Sequence, residues 1–153
     1  MKNFEIRIFA LQLVASILLF LGLQQLFVLA EMELIELIHS VGQDNFAFYA
    51  RKSDEFGISN KLKNLATAKL ILSLIGFILA YIISSVINYK RGYDWKMSVF
   101  VVILCFVVYQ FKIIDLPTKY FINQSLEIAY IGTSIFAIIT SFIIYFISYR
   151  IKL

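Results

Sequence analysis

The residues in this chain whose types and spacing come nearest to metal chemistry are Glu33-x-x-Glu36-x-x-His39. A Glu-x-x-His pair on a helix is half of a carboxylate-bridged di-iron site, since residues three apart project to one side and can share an ion. A complete site needs a second such pair and two more glutamates on facing helices. His39 is the only histidine in the sequence, so a single chain cannot finish the set and only a dimer could. Nothing else in the sequence points that way. The plain reading of the pattern is the solvated face of an amphipathic helix. Glu36 and His39 therefore stand as weak metal candidates; no catalytic residue is assigned and no cofactor is expected.

Three further charges, Lys69, Lys112 and Asp115, lie close to long apolar stretches. An ionisable group inside a membrane marks a functional site by default. A long side chain within a turn or two of the interface instead snorkels its charge to water. Lys112 and Asp115, three apart, can pair on one side of a helix. The three residues are read as structural or interfacial, with a polar vestibule as the functional alternative. Tyr81 and Tyr109 suit packed aromatics better than a ligand pocket, and Cys105, the single cysteine, suits an inert small apolar residue. Acids, arginine and histidine are missing from the middle of every apolar block. That argues against proton-coupled transport and voltage sensing. No Cys-x-x-Cys pair, phosphate-binding loop or Gly-x-Ser-x-Gly element occurs.

The elements that carry these residues are long apolar helices. Hydrophobic residues make up 61% of the 153, against about 45–50% for soluble domains. The excess lies in uninterrupted blocks that a soluble core cannot absorb. Leu70 to Ile87 contains no charge, and a run of about 18 such residues is long enough to cross a bilayer. Comparable blocks place spans at about 8–30, 65–89, 96–114 and 126–149, with a connecting segment at about 31–64. The expected fold is an all-α integral membrane protein, one domain over 1–153, with four transmembrane helices arranged as two helical hairpins and one amphipathic surface helix after the first span. The first block is too long for the apolar core of a secretory signal and is read as an uncleaved helix.

Two ladders of small residues recur at every fourth position: Gly76, Ala80, Ser84, Asn88 in the second span and Ala129, Thr133, Ala137, Ser141 in the fourth. This spacing keeps small side chains on one side of a helix, where a second backbone can approach closely. The two spans are expected to pack against each other through these ladders, more readily than the ladders would line a pore. Between the second and third spans, Lys90-Arg91-Gly92-Tyr93-Asp94 predicts a tight hairpin. Cations complement the end of one helix, a glycine takes the left-handed position beyond it, and an aspartate caps the next.

The segment after the first span alternates apolar residues (Met32, Ile35, Ile38, Val41) with Glu33, Glu36 and Ser40, which is an amphipathic helix pattern. Beyond Gly42, the mixture of Phe46, Phe48 and Tyr49 with Arg51 and Lys52 has interfacial, partner-facing composition. Lysines and arginines divide evenly between the two sides of a four-span bundle. They are denser in the short segments on the side of the termini, and this favours termini in the cytoplasm. The net charge of +4 gathers at block ends, so a nucleic-acid partner is not expected.

These features favour a non-enzymatic accessory or interaction subunit of a larger membrane assembly, in a bacterial inner membrane. The expected partners are membrane lipid and either another membrane protein or a second copy of the chain. An immunity-type protein that neutralises a pore-forming toxin is a variant of this reading. A small channel or lipid- or quinone-binding protein is the alternative, with Tyr81, Ser84, Asn88 or Thr133 lining a cavity. A metal-dependent membrane enzyme comes third.

Overall fold

The computed structural model describes residues 5–41, 51–111 and 125–151. Every element among them is helical: α1 (Ile6–Gln25) with a 3-10 extension (Leu26–Ala30), α2 (Met32–Val41), α3 (Ser59–Lys90), α4 (Lys96–Gln110) and α5 (Leu126–Arg150). Phe46, Phe48, Tyr49, Lys112 and Asp115 lie outside the described residues.

Three helices are long and apolar enough to cross a membrane: Ile6–Ala30, Ser59–Lys90 and Leu126–Arg150. The stretch expected as the third of four spans is a shorter apolar helix. Its 15 residues reach ~22 Å, less than the ~30 Å of a bilayer's hydrocarbon core. Its expected end, to residue 114, falls beyond the described residues.

The distribution of side chains is inverted relative to a water-soluble bundle. Gln12, Ser16, Asn88, Ser98, Ser134 and Ser141 are fully buried, whereas Ile78, Phe100, Phe136, Phe142 and Phe146 are each at least half exposed. A soluble monomer rarely shows so continuous an apolar exterior.

The centre of the bundle is α1. Both ladders are buried, but they do not meet each other as the sequence suggested; each turns to α1, and the interface between α3 and α5 is slight. The reason lies in close contacts on two sides of α1. A Cβ on Gly76 would come within 3.2 Å of the Phe20 Cα, and one on Gly22 within 3.0 Å of the Ser134 carbonyl oxygen and 3.2 Å of Ala137 Cβ. Ser141 donates to the Ala15 carbonyl at 2.7 Å, so the α5 and α1 backbones run close together. α1 meets α3 at the notch that Gly76 leaves beside Phe20 and α5 at its own notch at Gly22, and so takes the position between the ladders. The α1–α3 and α1–α5 pairs are antiparallel, as Phe20 against Gly76 and Gln12 against Asn88 require of the first and Gly22 against Ser134 and Ser16 against Tyr145 of the second. On its remaining side, Ile17, Phe20 and Leu21 cluster with Cys105 of α4, and the Tyr109 ring meets Phe20 edge-on at 4.9 Å.

The α3–α4 turn has the expected chemistry. Gly92 adopts φ +72°, Tyr93 N–H donates to the Asn88 carbonyl at 2.9 Å and Gly92 N–H to that of Tyr89 at 3.1 Å. This is the paired closure of a Schellman helix end. The Asp94 carboxylate accepts from Lys96 N–H at 3.0 Å and so caps α4 from just ahead of its first turn.

At the opposite end the chain bends at Glu31, and α2 packs across the bundle instead of prolonging α1. Leu34 and Ile35 join Val28, Ile58 and Leu65 in one apolar cluster. Glu33 accepts from Lys61 at 2.6 Å and Glu31 from Asn64 at 2.7 Å, tying α2 to the first turns of α3.

Close packing at Gly22 sets a clear expectation. Gly22→Val should lower stability in detergent by about 1–3 kcal/mol, the usual cost of overpacking. Ile82→Val, on the outward side of α3, should be near neutral. Thermal or denaturant unfolding followed by circular dichroism reads both.

Candidate functional site

The richest constellation of polar groups among the described residues lies inside the bundle, towards the α3–α4 turn. Gln12 Nε2 donates to Asn88 Oδ1 at 2.8 Å, and Asn88 Nδ2 donates to Ser98 Oγ at 2.8 Å. A single asparagine thereby joins α1, α3 and α4. About one turn deeper, Ser16 Oγ and the Tyr145 hydroxyl are 2.7 Å apart and join α1 to α5. Nearer the other end, Gln24 Nε2 reaches Ser73 Oγ of α3 at 3.1 Å. Gln12 Oε1, fully buried, has no partner among the described residues. Away from water an amide pair of this kind is directional, because misalignment by one helical turn leaves both amides unbonded.

Above this layer, the Arg91 guanidinium closes the end of α5. It donates to the carbonyls of Ser148 at 2.8 Å, Tyr149 at 2.9 Å and Ile151 at 2.7 Å. These are carbonyls that a helix end leaves without intrahelical partners, and the cation also complements the helix dipole. Tyr93 donates its hydroxyl to Glu5 at 2.9 Å and so ties the turn to the start of α1. Burial, together with the Glu5 carboxylate, pushes the Tyr93 phenol above its ordinary value. The helices α1, α3, α4 and α5 are thus linked at this one end.

The residues singled out from the sequence fall in several places. Gly76, Ala80, Ser84, Asn88, Ala129, Thr133, Ala137 and Ser141 are buried between helices. Thr133 bonds back to the Ala129 carbonyl of its own helix at 2.9 Å. Tyr81 points outward and is 40% exposed, so it does not join the buried ladder residues. Glu36 and His39 are both exposed, and His39 Nε2 lies 3.2 Å from the Tyr130 hydroxyl. No group of three or more His, Cys, Asp or Glu able to hold a metal ion occurs among the described residues. Lys69 stacks its ammonium 5.5 Å from the Phe27 ring centroid, while Arg51 and Lys52 are exposed and Lys52 pairs with Glu55 at 2.9 Å.

Gln12, Ser16, Ser98, Tyr145 and the Arg91 clamp were not singled out as a site from the sequence. A signal existed for two of them: Gln12 and Ser16 are four apart in an otherwise apolar helix, so they share a side. What they bond to is set by other helices, and no local pattern carries that. Chemically the arrangement holds helices together. It pairs amides and hydroxyls and presents no nucleophile beside a base. Comparison with family models, with curated proteins and with solved structures finds no match to this chain.

Asn88→Leu should destabilise the protein more than the double change Gln12→Leu with Asn88→Leu. The single change strands the Gln12 amide; the double change replaces both. The coupling should be about 1–2 kcal/mol in a double-mutant cycle measured by unfolding in detergent. At the other end, the hydrogen bond from Lys61 and its charge hold the Glu33 carboxyl below the ordinary value of 4.5. The contribution of that ion pair is complete above the unfolded pKa and is lost as pH falls through the lowered folded one. Hydrogen exchange over α2 should therefore quicken as pH falls below the ordinary carboxyl value of 4.5, and Glu33→Gln should remove part of that pH dependence.

Proposed function

We propose that this protein is a small integral membrane protein without catalytic chemistry of its own, serving as an accessory or interaction subunit of a larger membrane assembly. In this reading the apolar stretch at about 96–114, which contains α4, is counted as a span beside the three long helices. Both termini lie in the cytoplasm of a bacterial cell, and the α2 end faces outward. The observation that carries the proposal is the position of α1. It fills the axis of the bundle, and the polar side chains it meets there are bonded mainly to one another or to backbone carbonyls. A bundle whose axis is occupied in this way supports recognition on its outer faces over conduction through its middle. Of the three long apolar helices, α3 has the smallest buried share, which leaves the most outward surface for a partner helix.

The channel or lipid-pocket reading is less well supported. Ser84, Asn88 and Thr133, its expected lining, are turned into helix contacts, and Tyr81 faces the other way. The immunity-type variant needs only helix-to-helix recognition and is compatible with the same surface.

The test is extraction in a mild detergent followed by mass spectrometry of whatever co-purifies. A single membrane protein in fixed ratio, reduced several-fold by Ile78→Ser and Ile82→Ser together, is the expected result. Recovery of the chain alone across several detergents would contradict the proposal. Survival of expressing cells challenged with pore-forming toxins decides the immunity variant.

A further inference from the structure

The two ends of the bundle differ in how their charge is balanced. At the α2 end the cations sit among carboxylates, with Glu33 on Lys61 and Glu55 on Lys52. At the other end Arg7, Lys90, Arg91, Lys96 and Arg150 gather from four helices, against Glu5 and Asp94 alone among the described residues. Both acids are engaged: Glu5 accepts from Tyr93, and Asp94 from the Lys96 backbone. Arg91 is occupied by the α5 carbonyls. Arg7, Lys90, Lys96 and Arg150 remain, all exposed and with no acidic partner among the described residues. The Lys90 ammonium lies 5.7 Å from the Tyr149 ring centroid and the Arg150 guanidinium 5.3 Å from that of Phe146, which leaves their hydrogen-bond donors free for an anion. Tyr89, 86% exposed, and Trp95, 60% exposed, stand on the same rim, as aromatic residues do at headgroup depth.

We infer that this rim is a binding surface for anionic phospholipid headgroups, with Arg7, Lys90, Lys96 and Arg150 as its phosphate partners. The four cations stand at the same end of the bundle, each on a different helix. A layer of lipid headgroups can meet all four at once, and a single compact anion reaches only part of such a set. The inference rests on the membrane reading above and deepens it by naming the lipid class and the leaflet that the termini face, because anionic headgroups attract basic residues beside the membrane surface.

Trp95 is the only tryptophan in the chain, so its fluorescence reports this rim directly. The full chain is reconstituted into vesicles of phosphatidylcholine mixed with phosphatidylglycerol, either lipid being brominated near the top of one acyl chain to quench nearby fluorescence. At low salt, brominated phosphatidylglycerol should quench more than its bulk share, with a relative binding constant on the order of fivefold. Raising salt to about 0.5 M shortens the screening length and should bring the ratio close to one. Combining Arg7→Gln, Lys90→Gln, Lys96→Gln and Arg150→Gln, with Arg91 left intact to hold α5, should do the same at low salt. Millimolar inorganic phosphate should leave the ratio unchanged, which separates a headgroup site from a free-phosphate site. Equal quenching by both lipids at low salt in the unaltered protein would overturn the inference while leaving membrane insertion intact. No quenching by either lipid, with the protein recovered free of vesicles, would overturn the membrane reading and this inference together.

Discussion

The arrangement depends on how closely three helix backbones can approach α1. Gly22 lets α5 come near enough for the Ser134 carbonyl to take up the space of a side chain, and Gly76 lets α3 settle against Phe20. Where lipid tails are as apolar as leucine, burial of apolar surface gives helices no reason to associate. Close van der Waals contact and hydrogen bonds between helices provide it instead. Both are concentrated on α1. Small residues bring the neighbours within reach, and Gln12, Ala15, Ser16 and Gln24 then supply bonding groups to them. The helix that comes first in the chain is thereby the one around which later helices are set.

Specificity of register follows from the same residues. The apolar outer faces of α3, α4 and α5 would tolerate sliding, because one isoleucine is much like the next. The Gln12–Asn88–Ser98 chain would not, because each amide finds its partner at only one alignment. Arg91 fixes the depth of α5 relative to the α3–α4 turn by bridging to its final carbonyls. At the opposite end α2 is held by an apolar cluster and a few exposed polar contacts.

What the sequence made legible was local. The α3–α4 turn could be read residue by residue, because a cation, a glycine and an aspartate at those positions each answer a requirement of the adjoining backbone. The ladders of α3 and α5 could be read because small residues four apart share a helix side. Which helix would face them could not. Gly22 stands alone in α1 with no repeat to mark it, and Gln12 and Ser16 look like isolated polar residues until Asn88 and Tyr145 are brought beside them from 76 and 129 positions away. The expected direct pairing of α3 with α5 went wrong at this step: two matching patterns suggested each other, while the true partner carried a less regular one. The end of α4 at Gln110 was likewise unmarked, since Phe111, Ile113 and Ile114 carry apolar residues on around Lys112.

The claim that α1 lies between the two ladders is tested most directly by cysteine cross-linking in native membranes. With Cys105→Ser as background, Ser141→Cys is paired either with Ala15→Cys on α1 or with Ala80→Cys on α3. Brief mild oxidation should join the Ser141 and Ala15 positions quickly and leave the Ser141 and Ala80 positions unjoined. Fast linkage of the Ala80 pair, with little or none for Ala15, would mean that the ladders pack on each other and that α1 does not organise the bundle.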